Sequence, residues 1–148
     1  MEFGWINLFG AIIVAIILIP NIIYAIKNKD EKNVCTNKAM NIIEQTGRYA
    51  CIILMWLPLF VRKFGFTSVF EMLLYFIGNG ALLFLYLFVF ALYFGKKTNG
   101  RAMILAVLPA CIFLLSGLLL RHWLLAGFAI LFAIGHIYVT KKNLEAIQ

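Results

Sequence analysis

The sequence predicts an all-α integral membrane protein: a bundle of about five transmembrane helices, N-terminus outside and C-terminus cytoplasmic. Three observations carry that expectation: an excess of apolar residues, their grouping into five long runs, and an uneven spread of basic residues between the runs. Of 148 residues, 64% are hydrophobic and 13% charged, and the mean hydropathy is +0.98. A soluble domain is nearer about half apolar and about a quarter charged. A globule of this size leaves much of its surface wet, so the excess calls for lipid as solvent. The expectation is a single transmembrane helical domain over residues 1-148, multi-pass in the cell (cytoplasmic) membrane.

A spanning helix needs about twenty apolar residues. Five segments qualify, about 4-26, 40-61, 69-94, 102-120 and 123-140. The first, third and fourth are strongly apolar, with Glu71 their only charged residue. The second contains Glu44, Gln45 and Arg48. The fifth follows the fourth with only Arg121 and His122 between them, and a single helix over both would far exceed the bilayer thickness. Glu2 in place of a basic n-region, and no small-residue cleavage site after a long apolar run, argue against a cleaved signal peptide.

Basic residues set the direction. With the amino terminus outside, the inner segments hold Lys27, Lys29, Lys32, Lys38, Lys96, Lys97, Arg101, Lys141 and Lys142, and the outer ones only Arg62, Lys63 and Arg121. That bias favours an odd number of spans in this orientation. Each outward-to-inward helix also ends in Tyr-x-x-Lys: Tyr24 with Lys27, Tyr93 with Lys96, Tyr138 with Lys141. Such pairs read as interfacial anchors. The segment 27–38 is short and charged and reads as solvated coil. The net charge of +7 is dispersed in these clusters rather than gathered in one patch, which argues against a nucleic-acid partner.

The second span carries the strongest polar signal. Asn41, Glu44, Gln45 and Arg48 follow the spacing of one helix face, with Glu44 four residues before Arg48 in the favourable order for an ion pair. Ionisable groups at membrane depth are costly and mark candidate sites. A structural reading stands beside this one: Arg48 can snorkel to headgroups while paired with Glu44, and Asn41 with Glu44 resembles a helix start. On other helices Asn7, Asn21, Asn79, Tyr86, Tyr93 and His136 fall on inward-facing sides marked by small residues. Gly78 and Gly80 permit close approach in the third span, Ala102, Ala106 and Ala110 form a small-residue seam in the fourth, and Ala126, Ala129, Ala133 and His136 share a face in the fifth. Pro20, Pro58 and Pro109 read as tolerated kinks. The candidate ligand-binding set is Glu44, Gln45, Arg48, Asn21, Asn79 and His136, around a cavity open to the cytoplasm.

Most catalytic chemistry lacks its groups. The chain has one aspartate, Asp30, and its two histidines are separated by about 21 Å of helix. Ser116 and His136 lie at different depths, which removes a hydrolytic dyad. Cys35, Cys51 and Cys111 show no metal or disulfide spacing, and no nucleotide-binding pattern is present. No catalytic residue, cofactor or metal is expected. The expectation is therefore small-molecule or ion binding or transport through a cytoplasm-facing polar site. The alternatives are a lipid-modifying membrane enzyme and a non-catalytic partner subunit of a membrane complex. The expected partners are the lipid bilayer and either a second copy or a membrane subunit.

Overall fold

The computed structural model describes residues 6–61 and 64–146. The amino-terminal Glu2, and Arg62 and Lys63 in the outer charge count, lie outside these residues. Their regular structure consists of five helices: α1 Leu8–Lys27, α2 Lys38–Trp56, α3 Val69–Gly95, α4 Asn99–Leu119 and α5 Trp123–Glu145. Four of them, α1, α3, α4 and α5, are long and apolar enough to cross a membrane. α2 is outside that group because Lys38, Glu44, Gln45 and Arg48 dilute its hydropathy. Large apolar side chains cover the outside of the bundle; Phe84, Phe70 and Ile77 are 73%, 72% and 68% exposed. A soluble monomer rarely shows contiguous apolar surface on this scale, and this is the surface of a multi-pass membrane protein.

Side-chain caps set four helix starts. Asn7, Asn37, Ser68 and Thr98 each accept a hydrogen bond from the backbone N–H three residues on, satisfying a donor the helix leaves open. For α2 this overturns the start at Asn41 with Glu44, because Asn37 already holds the first turn. Its end also differs from the expected residue 61. Pro58 disfavours helical backbone at the residue before it, and Leu57 is extended, with φ −105° and ψ 109°. Pro58 therefore terminates the helix rather than kinking it, while Pro20 and Pro109 lie inside α1 and α4.

The break between α4 and α5 falls where the sequence places it. Arg121 adopts φ 52°, its N–H donates to the Leu118 carbonyl at 3.2 Å, and the His122 N–H donates to the Gly117 carbonyl at 2.8 Å. These paired bonds with a left-handed residue between them are a Schellman closure. The Arg121 side chain then reaches Thr67 at 2.8 Å and Glu71 at 2.6 Å, tying the turn to the start of α3.

α5 is the axis of the packing, with α2 on one side and α4 on the other. Glycines bring the backbones together. A Cβ on Gly135 would lie 2.7 Å from the Glu44 nitrogen, one on Gly47 2.8 Å from Phe132 Cα, and one on Gly117 2.8 Å from the Ala126 nitrogen. Gly78 instead receives the side-chain tip of Leu115, and Gly80 has nothing within 4 Å and makes no close approach. α3 packs on α4, and α1 is attached more lightly, to α2 and α3.

Hydrogen bonds fix which helix ends lie together. At one end the Asn7 N–H donates to the Trp56 carbonyl at 2.8 Å, joining the start of α1 to the end of α2. At the other, Lys97 pairs with Glu31 and donates to Asn28 at 2.7 Å, and the Val34 N–H donates to Asn143 Oδ1 at 3.0 Å. The segment between α1 and α2 is an exposed coil, as its charge suggested, pinned at points to α4's approach and to α5. Asn41 helps hold it, accepting from Asn33 and donating to the Cys35 carbonyl, both at 2.9 Å.

Candidate functional site

The α2–α5 contact creates the central cluster. Glu44 faces α5 because Gly135 lets the two backbones meet, and its side chain is 3% exposed. A buried carboxylate requires partners for both oxygens, and it has them. Oε1 pairs with the Arg48 guanidinium, one turn on, and lies 3.0 Å from His136 Nδ1. Oε2 accepts from Gln45 at 3.0 Å. Arg48 Nη2 also lies 3.5 Å from His136 Nδ1. The imidazole is stacked on Phe132, with ring centroids 4.9 Å apart and 17° between planes. Arg48, His136 and Gln45 thus engage both oxygens of Glu44.

Arg48 and His136 border a cavity of about 360 Å³. Asn21 and Tyr86 join them: Asn21 Nδ2 donates to the Tyr86 hydroxyl at 2.6 Å and to the Ile17 carbonyl at 2.8 Å. Around this polar belt the walls are mainly apolar, with Val14, Ile17 and Leu18 from α1, Phe90 from α3, Pro109 and Phe113 from α4, and Phe132 from α5. The polar mouth holds Tyr24, Glu31, Tyr93, Thr140 and Asn143. It therefore opens toward the end of the bundle where Lys97, Glu31 and Asn143 bind the 28–37 segment. α1 and α4 face one another across the space without packing together.

Tyr24 has a second duty beside the anchoring expected of it. Its hydroxyl donates to Glu31 Oε2 at 2.6 Å, its ring lies 5.7 Å from that of Tyr93, and Lys97 sits 5.0 Å above it. Partial burial pushes the Glu31 carboxyl up, but the Lys97 ammonium and the Tyr24 hydroxyl outweigh that and hold it below its ordinary range.

Of the six candidate residues, the structure brings four to the cavity or directly behind it: Asn21, Glu44, Arg48 and His136. Gln45 is exposed and touches the cluster only through Glu44. Asn79 is elsewhere. It is 2% exposed, donates to the Tyr75 carbonyl at 3.0 Å and accepts from Ser116 at 3.2 Å. Two helical turns separate it from Tyr86, about 10 Å, and it does not line the cavity. Asn7 is likewise structural, capping α1 and donating to the Met55 carbonyl at 3.0 Å. Ser116 and His136 serve different clusters. His122 lies at the opposite end of α5 from His136, with Nε2 3.1 Å from the Leu59 carbonyl. Among the described residues no group of three or more His, Cys, Asp or Glu side chains converges to hold a metal ion.

Thr140, Asn143 and Phe132 line the cavity without having been singled out from the sequence. Their signal was the helical period: Phe132, His136, Thr140 and Asn143 step along one side of α5 by three or four residues. In the fourth helix, Ala106 and Ala110 are buried within the chain and Ala102 borders the cavity. That seam is therefore not a free surface for another subunit. Comparison of the chain with protein-family models, curated proteins and solved structures yields no match.

Proposed function

We propose that this chain is a small-molecule-binding, transport-related protein of the cell membrane, with its site in the cavity beside Arg48 and His136. One observation carries the reading: a guanidinium held by a buried, paired carboxylate borders a cavity whose walls are otherwise mainly apolar. Pockets of roughly this size with a few placed polar groups are the usual form of ligand sites. In this reading the bundle crosses the membrane five times with its amino terminus outside, and the cavity mouth faces the cytoplasm. α2 supplies the fifth crossing: its 19 residues extend about 28 Å, and its Glu44 is turned to α5 instead of lipid.

Glu44 favours binding over catalysis. Both of its oxygens are engaged, so it is a positioning group for Arg48 and His136 rather than a free acid or base, and the lipid-modifying enzyme is the weaker reading. The test combines native mass spectrometry of gently extracted protein with labelling of Thr140→Cys, in a Cys35→Ser, Cys51→Ala, Cys111→Ser background. A retained ligand that is lost in Arg48→Gln, together with impermeant-reagent labelling of position 140 in inside-out vesicles only, is the expected result. No adduct and no labelling from either side would sink the proposal.

A further inference from the structure

We infer that the ligand is an amphiphilic anion: an acidic head on an apolar tail, its head at Arg48 and an apolar chain between α1 and α4. The inference rests on the cavity being a binding site, and adds what the site takes. Its first support is an excess of donors. Glu44 carries the only carboxylate in the central cluster, and both its oxygens are engaged, by Arg48, His136 and Gln45. Arg48 uses only Nη2 on Glu44 and His136 among the described residues, leaving the rest of a five-donor guanidinium at the cavity wall. The Tyr86 hydroxyl accepts from Asn21, so its own proton is free to be donated. Such an environment selects an acceptor, and a guanidinium fork matches a carboxylate or phosphate in geometry and charge.

The second support is the apolar wall. A small hydrated anion would leave Ile17, Phe113 and Phe132 facing water that the ion holds on its other side. An apolar chain on the same anion covers them. The third is access. α1 and α4 line the cavity without packing on one another, which leaves room for a chain between them, and the mouth at Tyr24, Tyr93 and Thr140 admits it while the head stays in the polar belt. The head chemistry is shared by a bilayer lipid and by a free acyl or alkyl anion from the cytoplasm.

The experiment uses the full chain in zwitterionic-lipid nanodiscs and compares decanoate, decanol and acetate by calorimetry. Decanoate is expected to bind one per chain and at least about tenfold more tightly than either other probe, since chain burial and a charged hydrogen bond each contribute that much or more. Arg48→Gln should remove the advantage of decanoate over decanol. Because that variant strips a partner from Glu44 and so also threatens folding, a second variant is used: Ala102→Trp, which narrows the mouth and leaves the cluster intact, should weaken decanoate at least about fivefold. Equal binding of acetate and decanoate overturns the amphiphile while the cavity remains a site. Equal binding of decanol and decanoate overturns the anion. Binding by none of the three overturns this inference, and the labelling of position 140 then decides separately whether the cavity reading stands. Repeating the titration with anionic phospholipid in the disc locates the source: displacement of decanoate assigns the bilayer, persistence assigns the cytoplasm, and each upholds the ligand class.

Discussion

Glu44 shows how one residue can set the chemistry of a cavity it does not line. Its carboxylate lies behind Arg48 and His136 and fixes both, so the groups presented to the cavity are donors. Removing one partner of a buried pair costs far more than the pair contributes. Glu44→Ala should lower stability by roughly 3 kcal/mol, read as the unfolding midpoint in mild detergent, and Glu44→Gln, which keeps an acceptor, by about half of that. Equal losses would mean that shape rather than charge holds the cluster. At the cavity mouth, Glu31 gives a pH signature. Its carboxyl is held below the ordinary value of 4.5 by Lys97 and Tyr24 against its partial burial. Such a group contributes stability that is complete above the unfolded value and is lost as pH falls through the folded one. Reaction of the half-buried Cys35 with a pyridyl disulfide should therefore accelerate below pH 4.5, and Glu31→Gln should abolish the step. These residues differed in how far the sequence exposed them. The 41, 44, 45, 48 spacing placed Glu44 and Arg48 on one face because helical period alone decides that. It could not show that Asn41 would serve the 28–37 segment, nor that Asn79 would bond Ser116, because depth across helices depends on tilt and on connections.

Between elements, the seam of α2 and α5 depends on two missing side chains. Gly47 and Gly135 let the backbones meet, and a methyl at Gly135 would fall 2.7 Å from the Glu44 nitrogen. Gly135→Ala should destabilise by about 1–3 kcal/mol through overpacking and should loosen His136 from Glu44. Gly80→Ala, with nothing within 4 Å, should instead stabilise α3 by about 0.5–1 kcal/mol. Both are read from denaturant titrations followed by circular dichroism. Opposite signs from the same substitution separate packing from propensity. The helices themselves were largely legible, since apolar run length and the Arg121–His122 break are local properties. Their ends were less so. Asn37 and Pro58 shift α2 to Lys38–Trp56, and cap and proline chemistry act over two or three residues that hydropathy averages away.

For the molecule as a whole, the two ends differ in charge. One gathers Lys27, Lys29, Lys32, Lys38, Lys96, Lys97, Arg101, Lys141 and Lys142 around the cavity mouth, with Asp30, Glu31 and Glu145 among them. The described residues of the other carry Arg121 and Glu71, paired with each other. With the basic end inward, Cys35 should react with an impermeant thiol reagent in inside-out vesicles and not in right-side-out ones. Labelling on the outer side would invert the topology and turn the cavity mouth away from the cytoplasm.

The α2–α5 seam also bears on the order in which the protein is made. Glu44 and His136 are 92 positions apart, so the helix least suited to lipid is threaded early and its main partner emerges last. A nascent chain ending at Leu119 has Glu44 and Arg48 in a helix with no α5 to cover them. Covering of the Glu44 carboxylate therefore waits on α5, whose Gly135 and His136 meet it.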